Sequence, residues 1–147
     1  MKQIAVLTLI LALALTACEG PQGPAGRDGQ ANWSIQYYVV GEYSPHYPSG
    51  AWTSLGDGRY QCLFKTPQLT DFIYNEGITL VSYMQDMDTD HEVQIGLPHI
   101  FFGSDPLPFT ATYTFDTTPG YVAFNVAYSD FNNVPPPVCI FKLTLVW

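Results

Sequence analysis

Basic residues are scarce in this sequence. Its 147 residues include five Lys and Arg against thirteen Asp and Glu, which gives a net charge of −8 at pH 7. From residue 31 onward the cations are only Arg59, Lys65 and Lys142. Because so acidic a chain repels phosphate backbones, we expect no nucleic-acid partner.

Long apolar runs and catalytic signatures are also missing. Past Cys18 there is no stretch of 18 or more apolar residues that could form a membrane-spanning helix. The sequence has no nucleophile elbow, no HExxH pair and no glycine-rich phosphate loop. These absences favour a protein that binds a ligand without catalysis or a cofactor. A hydrolase built on two unrecognised carboxylates is the less favoured alternative.

Cysteine occurs three times, at Cys18, Cys62 and Cys139. The last two alternate with apolar neighbours, as in Tyr60-Cys62-Phe64, so we expect both side chains to point into a core. An exported protein meets an oxidising environment, in which a disulfide between them is possible. Buried free cysteine is also typical of protein cores. Strand adjacency decides between the two, and the sequence does not show it.

The first 17 residues have the pattern of a secretory signal peptide. Lys2 precedes an apolar run from Ile4 to Leu15, and small residues lead to Cys18. The run is short for a permanent bilayer span. The tetrapeptide Leu15-Thr16-Ala17-Cys18 resembles the bacterial lipobox, which implies cleavage before Cys18 and acylation of that cysteine. Two or three acyl chains would hold the mature protein on a membrane.

Residues 18–31 carry a collagen-like repeat behind the acylated cysteine. Glycine recurs at every third position, accompanied by proline: Gly20, Gly23, Gly26, Gly29, Pro21 and Pro24. Four triplets are few for a triple helix, whose interchain bonds must offset the ordering of three chains. We therefore interpret the segment as an extended tether that lifts the following domain by about 40 Å. Trimerisation through this stub is the alternative.

A lipobox followed by EGPQGPAGRDGQ and then a β-rich domain resembles the small lipoproteins with collagen-like linkers of Gram-negative bacteria. Further points of likeness are LTDFIYNEGITLVSY, the Leu97-Pro98 dipeptide and the closing FKLTLVW. The likeness covers most of the chain. It implies a lipid-anchored location at the outer membrane or cell surface and a β-rich fold, and it transfers no catalytic residues.

Residues 32–147 are predicted to form a single all-β domain. The segment is rich in aromatic and β-branched residues and is broken at short intervals by turns that contain Gly and Pro. Asp57-Gly58 predicts a tight hairpin turn, and Thr70, Asp71 and Gly77 delimit the one helical candidate. The pattern favours an antiparallel two-sheet β-sandwich with one short helix and either immunoglobulin-like or jelly-roll-like connections. We expect this head domain to be monomeric.

The most suggestive surface is the aromatic segment YYVVGEYSPHYPSGAW. Exposed tyrosine and tryptophan rings stack on sugar rings or on the side chains of a protein partner at low entropic cost. The alternative is that these rings close one end of the sandwich. The candidate ligand-binding aromatics are Tyr37, Tyr38, Tyr43, Tyr47 and Trp52.

A polar cluster, QDMDTDHE, is the one candidate for a metal site. Asp86, Asp88 and Asp90 have the two-residue spacing with which a calcium loop begins. The glycine and the glutamate that such a loop needs further on are replaced by His91 and Leu97. We interpret the cluster as a solvated acidic turn, with a weak calcium site as the alternative.

The function predicted from these features is display of a ligand-binding or adhesive domain at the cell envelope, with a glycan or an envelope protein as the partner. The alternative is a structural accessory that docks on an outer-membrane complex. A contiguous exposed aromatic patch would favour glycan capture, whereas a flat apolar patch would favour docking.

Overall fold

The computed structural model describes residues 31–104, 107–131 and 133–147. The predicted signal peptide 1–17, the acylation site Cys18 and the linker as far as residue 30 lie outside the described residues. Within the three described ranges, no helix is long and apolar enough to cross a membrane.

The described chain is built of strands joined by short turns, and the all-β prediction is confirmed. In the part of the chain that the structure describes there is one helix, α1, which covers Asp71–Glu76. The strands in these ranges are β1 (Trp33–Val40), β2 (Ser49–Gly50), β3 (Thr53–Gly56), β4 (Arg59–Lys65), β5 (Ile78–Gln85), β6 (Val93–Gly96), β7 (His99–Gly103), β8 (Phe109–Thr118), β9 (Tyr121–Tyr128) and β10 (Cys139–Val146).

The strands form two sheets of five. Sheet 1 has the order β2-β1-β10-β5-β6, and sheet 2 has the order β3-β4-β9-β8-β7. Neighbouring strands are antiparallel, except that the two-residue β2 runs parallel to β1. In an immunoglobulin sandwich the first and last strands belong to different sheets, whereas β1 and β10 are hydrogen-bonded neighbours here. In this pairing of its first and last strands, the sandwich differs from the constant-type immunoglobulin arrangement.

The core lies between the sheets and follows the two-residue period of the strands. On β10, buried side chains alternate with half-buried ones, and the buried set is Cys139, Phe141, Leu143 and Leu145. On the facing sheet, β9 contributes a matching buried row of Val122, Phe124 and Val126. β9 and β10 thus pack a continuous row of side chains between the sheets, and the opposite faces of the two sheets are the outer surfaces on which binding can occur.

Local signals place the hairpin turn and the helix where the sequence predicts them. Asp57 and Gly58 have φ of 52° and 68°, the left-handed pair that a two-residue turn between β3 and β4 needs. The Thr70 side chain caps α1 by accepting a hydrogen bond from the Ile73 amide at 3.3 Å. The helix ends at Glu76, and the next residue, Gly77, has an extended backbone with φ of −95° and ψ of −176°. A larger residue would not fit at this position, because a Cβ would lie 2.7 Å from the Ile73 carbonyl oxygen.

Candidate functional site

Two of the five predicted ligand-binding aromatics are committed to the core. Tyr38 is 1% exposed, and its ring packs on Phe64 with centroids 4.8 Å apart. Its hydroxyl lies 2.9 Å from Thr66 Oγ1. Burial raises the pKa of Tyr38, an effect that the Thr66 hydrogen bond partly offsets. The prediction that Tyr38 offers its ring to a ligand is wrong, because the period of β1 turns it inward while Tyr37 faces out.

Trp52 is partly buried against the core. Its ring meets Phe141 edge-on with centroids 6.3 Å apart, and its Nε1 donates a hydrogen bond to the Pro137 carbonyl at 3.3 Å. The ring contact and the hydrogen bond fix the indole against the core, and only part of its surface remains exposed. Trp52 therefore fits the alternative prediction, that the rings of the aromatic segment close one end of the sandwich.

The other three rings remain at the surface. Tyr37 and Tyr47 are half-buried and lie against each other, with centroids 5.5 Å apart and ring planes tilted by 49°. Ser44 shapes the loop between them, because its Oγ accepts hydrogen bonds from the amides of His46 and Tyr47 at 3.3 and 3.2 Å. Tyr43 is 83% exposed. The structure therefore retains Tyr37, Tyr43 and Tyr47 as candidates.

An open groove of about 300 Å³ lies beside Tyr43, whereas Tyr37 and Tyr47 are not among its lining residues. The chain turns at Gly41, whose φ is +105° and where a Cβ would stand 3.1 Å from the Val138 Cα, and it then returns alongside β1. The Gly41 amide donates to the Gly50 carbonyl at 2.8 Å, which holds the two walls of the groove together. We name this site the aromatic groove; it is lined by Gly41, Glu42, Tyr43, Ser49, Gly50 and Ala51.

The aromatic groove combines three kinds of chemistry. The Tyr43 ring supplies an apolar face, Glu42 a carboxylate acceptor, and Ser49 a hydroxyl that donates and accepts. Glycan rings present apolar C–H faces alternating with hydroxyls, so these groups match an uncharged sugar. Glu42 is the sole carboxylate among the residues that line the groove, whereas glycoside hydrolysis uses a pair.

Hydrogen bonds between side chains and backbone groups within the segment stabilise the acidic turn 86–92. Asp86 and Asp88 have φ of 51° and 62°, and the Asp86 carbonyl accepts from the Thr89 hydroxyl at 2.7 Å. A Glu92 carboxylate oxygen accepts from the Asp88 amide at 3.3 Å. Among the described residues, no three acidic, histidine or cysteine side chains converge as metal ligands. The calcium alternative for Asp86, Asp88 and Asp90 therefore has no geometric support.

Cys62 and Cys139 lie on opposing sheets as free, buried thiols, so the disulfide left open by the sequence is not formed. The Cys139 thiol donates to the Pro137 carbonyl with Sγ···O at 3.2 Å. Burial raises the pKa of Cys62 to about 11 and that of Cys139 to about 12. Both groups stay protonated at neutral pH, which makes them core residues rather than nucleophiles or metal ligands.

Sequence reasoning missed a row of polar side chains on the outer face of sheet 2. Gln61 Nε2 donates to Asn125 Oδ1 at 2.9 Å, and Asn125 Nδ2 donates to Asp116 Oδ2 at 2.8 Å. An open depression of about 340 Å³ lies over this row, with Arg59 and Leu55 at its rim. The alternation of β4 and β9 points Gln61 and Asn125 outward, but only the strand register shows that the three side chains meet.

Comparisons with known proteins identify no relative. No protein-family model matches the chain, no curated protein matches it, and no solved structure matches it. The assignment of function therefore depends on the residues and geometry described above.

Proposed function

We propose that this protein is a lipid-anchored lipoprotein of the bacterial outer membrane or cell surface, whose β-sandwich binds a neutral glycan and does not catalyse. Acylated Cys18 holds it to the membrane, and residues 18–31 form the tether. The aromatic groove is the ligand site. The lipobox sequence and the Gly-X-Y repeat support the proposed membrane-anchored location, while the groove supports the proposed binding role.

The observation that carries the binding role is the exposure of Tyr43 at the edge of the aromatic groove. A tyrosine ring that is 83% exposed leaves its apolar faces in water. Stacking on the C–H face of a sugar would remove that surface from water, and Tyr loses little side-chain entropy in doing so. Glu42 and Ser49 would accept and donate hydrogen bonds to the sugar hydroxyls.

The charge of the chain selects among glycans. The net charge of −8 and the carboxylate in the groove both repel uronic and sialic acids. We therefore propose neutral hexose chains as the ligand class. The Glu42 carboxylate then acts as a hydrogen-bond acceptor and not as half of a hydrolytic pair.

A glycan array probed with the mature protein tests the groove. We expect retention on neutral oligosaccharides and a loss of about tenfold or more for Tyr43→Ala, since burial of one aromatic ring against the ligand accounts for about 1.5–3 kcal/mol. Tyr74→Ala is the matched control, because Tyr74 is an exposed tyrosine on α1 outside the groove. Equal retention by Tyr43→Ala and the parent protein would rule out this site.

Fractionation of cells tests the anchor independently. The Cys18→Ser variant should move from the membrane fraction to the soluble fraction, since it cannot carry the thioether-linked lipid. Mass spectrometry of the parent protein should show a mature chain that starts at modified Cys18. Membrane retention of Cys18→Ser, or a mature chain that starts elsewhere, would contradict the proposed anchoring.

A further inference from the structure

Two rows of side chains, all apolar except Thr144, cross the outer face of sheet 1 at the end where β1 and β5 begin and β10 ends. The exposed fractions are 68% for Trp33, 59% for Ile78, 55% for Leu80 and 37% for Ile35. The strand register aligns the rows as Trp33–Val146–Ile78 and Ile35–Thr144–Leu80. We call these six residues the apolar rows.

The apolar rows form one continuous surface. Their strands are hydrogen-bonded neighbours, about 4.8 Å apart, and successive residues on one face of a strand are about 7 Å apart. The outer face of an antiparallel sheet is ordinarily polar, and scattered apolar residues on it need no explanation. A contiguous group that includes tryptophan, isoleucine and leucine is different, because such a patch is typical of a contact surface.

The chain enters the domain at the edge of the apolar rows. The Asn32 amide donates to the Trp147 carbonyl at 2.7 Å, and the Trp147 amide donates to the Asn32 carbonyl at 2.9 Å. This pair fixes the position of residue 32 directly before Trp33. Any chain that leads from Cys18 into the domain must therefore reach it at the end of sheet 1 where the apolar rows lie.

Acidic residues gather at the opposite end of the same sheet. The turn that contains Asp86, Asp88, Asp90 and Glu92 follows the last residue of β5, about 23 Å along the strand from Ile78. None of the six side chains in the apolar rows is charged. Lys142 is on the same face of β10, two residues before Thr144 and therefore outside the rows. Along the chain, the nearest acids are Glu76 at the end of α1, two residues before Ile78, and Asp28, five residues before Trp33.

We infer that the apolar rows seat the domain on the headgroup–acyl boundary of the membrane that holds Cys18. This inference rests on the proposed anchoring. Tryptophan favours that boundary, where its apolar body and its N–H group find matching surroundings. The tether sets the greatest distance between the domain and the bilayer, about 40 Å when fully extended, and it does not prevent the domain from reaching the surface. A patch too weak to bind from solution is therefore sufficient once the domain is anchored.

Charge favours a zwitterionic surface for this contact. The chain carries a net charge of −8, and Asp71 and Glu76 lie on the helix that ends next to Ile78. Anionic headgroups would repel the domain, whereas phosphatidylcholine or phosphatidylethanolamine would not. Seating also orients the molecule: β5 then points its acidic turn away from the bilayer.

The test uses the mature acylated protein with an environment-sensitive fluorophore at one introduced thiol. Acylation blocks Cys18, and Cys62 and Cys139 are buried, so Thr144→Cys gives a single reactive site at the centre of the apolar rows. Thr114→Cys is the matched control, a half-buried threonine on the outer face of sheet 2. On reconstitution into phosphatidylcholine vesicles, the probe at position 144 should shift to the blue and the probe at 114 should keep its aqueous emission.

Ile78→Ser combined with Leu80→Ser should remove the blue shift at position 144 while the protein stays on the vesicles. Leu80→Lys alone, checked by its melting temperature, provides the same comparison if the double variant fails to fold. Replacing part of the phosphatidylcholine with phosphatidylglycerol should reduce the shift.

Three results would overturn the inference while the anchoring stands. The first is aqueous emission from the probe at position 144 on vesicle-bound protein, and the second is an equal blue shift at positions 144 and 114. The third is a blue shift at position 144 in detergent, without lipid, that coincides with dimerisation, because it would identify a second copy of the chain as the occupant. Failure of the protein to associate with vesicles, together with an unmodified Cys18, would instead contradict the proposed anchoring.

Discussion

Phe124 of β9 and Phe141 of β10 stack face to face across the two sheets, with ring centroids 4.3 Å apart and ring planes within 9° of parallel. Both side chains are 0% exposed. Tyr38 and Phe64 pack around Phe124, with centroids 5.5 and 5.8 Å from its ring. An aromatic cluster at the centre of the core therefore packs the two sheets together. Side chains that point into this cluster define the inner face of each sheet, and the alternate side chains lie on the outer face.

Truncation of this centre should destabilise the whole domain. Phe124→Ala removes one ring of the stack and leaves a cavity against Phe141, which we expect to lower the free energy of unfolding by about 3–5 kcal/mol. Urea denaturation of the two proteins measures the difference. Phe102→Ala, at a phenylalanine that is 84% exposed, should change it by about 0.5 kcal/mol or less. Similar losses for both variants would show that the stack is not the centre of the core.

Removal of the ring should lower the stability of the domain at Trp52 but not at Trp33. Trp52→Ala takes away the edge-on contact with Phe141 and the hydrogen bond to Pro137, so the free energy of unfolding should fall by about 2 kcal/mol. Trp33→Ala should leave stability nearly unchanged, since that ring is mostly exposed. Thermal melts followed by circular dichroism distinguish the two. A stable Trp52→Ala protein that has lost glycan binding would restore Trp52 to the ligand site.

Gly50 allows β2 to approach sheet 2 closely. A Cβ at this position would lie 2.7 Å from Cys62 Sγ and 3.2 Å from Phe64 Cζ. Gly50→Ala should therefore lower stability by about 1–3 kcal/mol through overpacking, and Cys62→Ala in the same chain should recover part of the loss. Gly96→Ala is the control, because a Cβ there meets nothing within 4 Å. Additive effects of Gly50→Ala and Cys62→Ala would contradict the proposed contact.

The buried thiols make stability depend on alkaline pH. Burial raises the pKa of Cys62 and Cys139 from the ordinary 9.0 to about 11 and about 12. Below pH 9 both thiols keep their protons whether the chain is folded or not, so their contribution to stability is complete. As the pH rises from 9 towards 12, the unfolded chain loses these protons first, and stability should fall. Denaturant midpoints measured from pH 8 to 11 should decline less steeply for the Cys62→Ala, Cys139→Ala double variant.

Thiol labelling gives a direct check of the same burial. At pH 8 a thiol-specific disulfide reagent should not modify the folded mature protein, whereas after denaturation two thiols per chain should react. Reaction of a folded-state thiol would show that one of these sites is open. The absence of any reactive thiol in the unreduced, denatured protein would instead show that Cys62 and Cys139 are bonded.

Features with a short-range cause were predictable from the sequence. The Asp57-Gly58 hairpin depends on two residues that tolerate positive φ, and the Thr70 cap depends on a hydroxyl three residues before Ile73. The fold class followed in the same way, since short strands of alternating pattern separated by turn residues can bury their apolar faces by pairing two sheets.

The candidate site was only partly predictable, because period-2 alternation does not say which face is buried. Tyr37 and Tyr38 are adjacent in the sequence, yet one lies on the outer surface and the other in the core. The strand ITLVSYMQ has apolar residues on both of its faces, yet Ile78 and Leu80 are more than half exposed. Alternation defines two faces, and only the packing of the second sheet selects one of them.

The sequence by itself determined the strands, the turn, the helix cap and the charge, since each depends on neighbouring residues or on composition. The tertiary structure decided which residues share a surface. Gln61, Asn125 and Asp116 meet across β4, β9 and β8, and Trp33 lines up with Ile78 through β10. Those meetings follow from strand order and register, which depend on contacts between segments far apart in the chain.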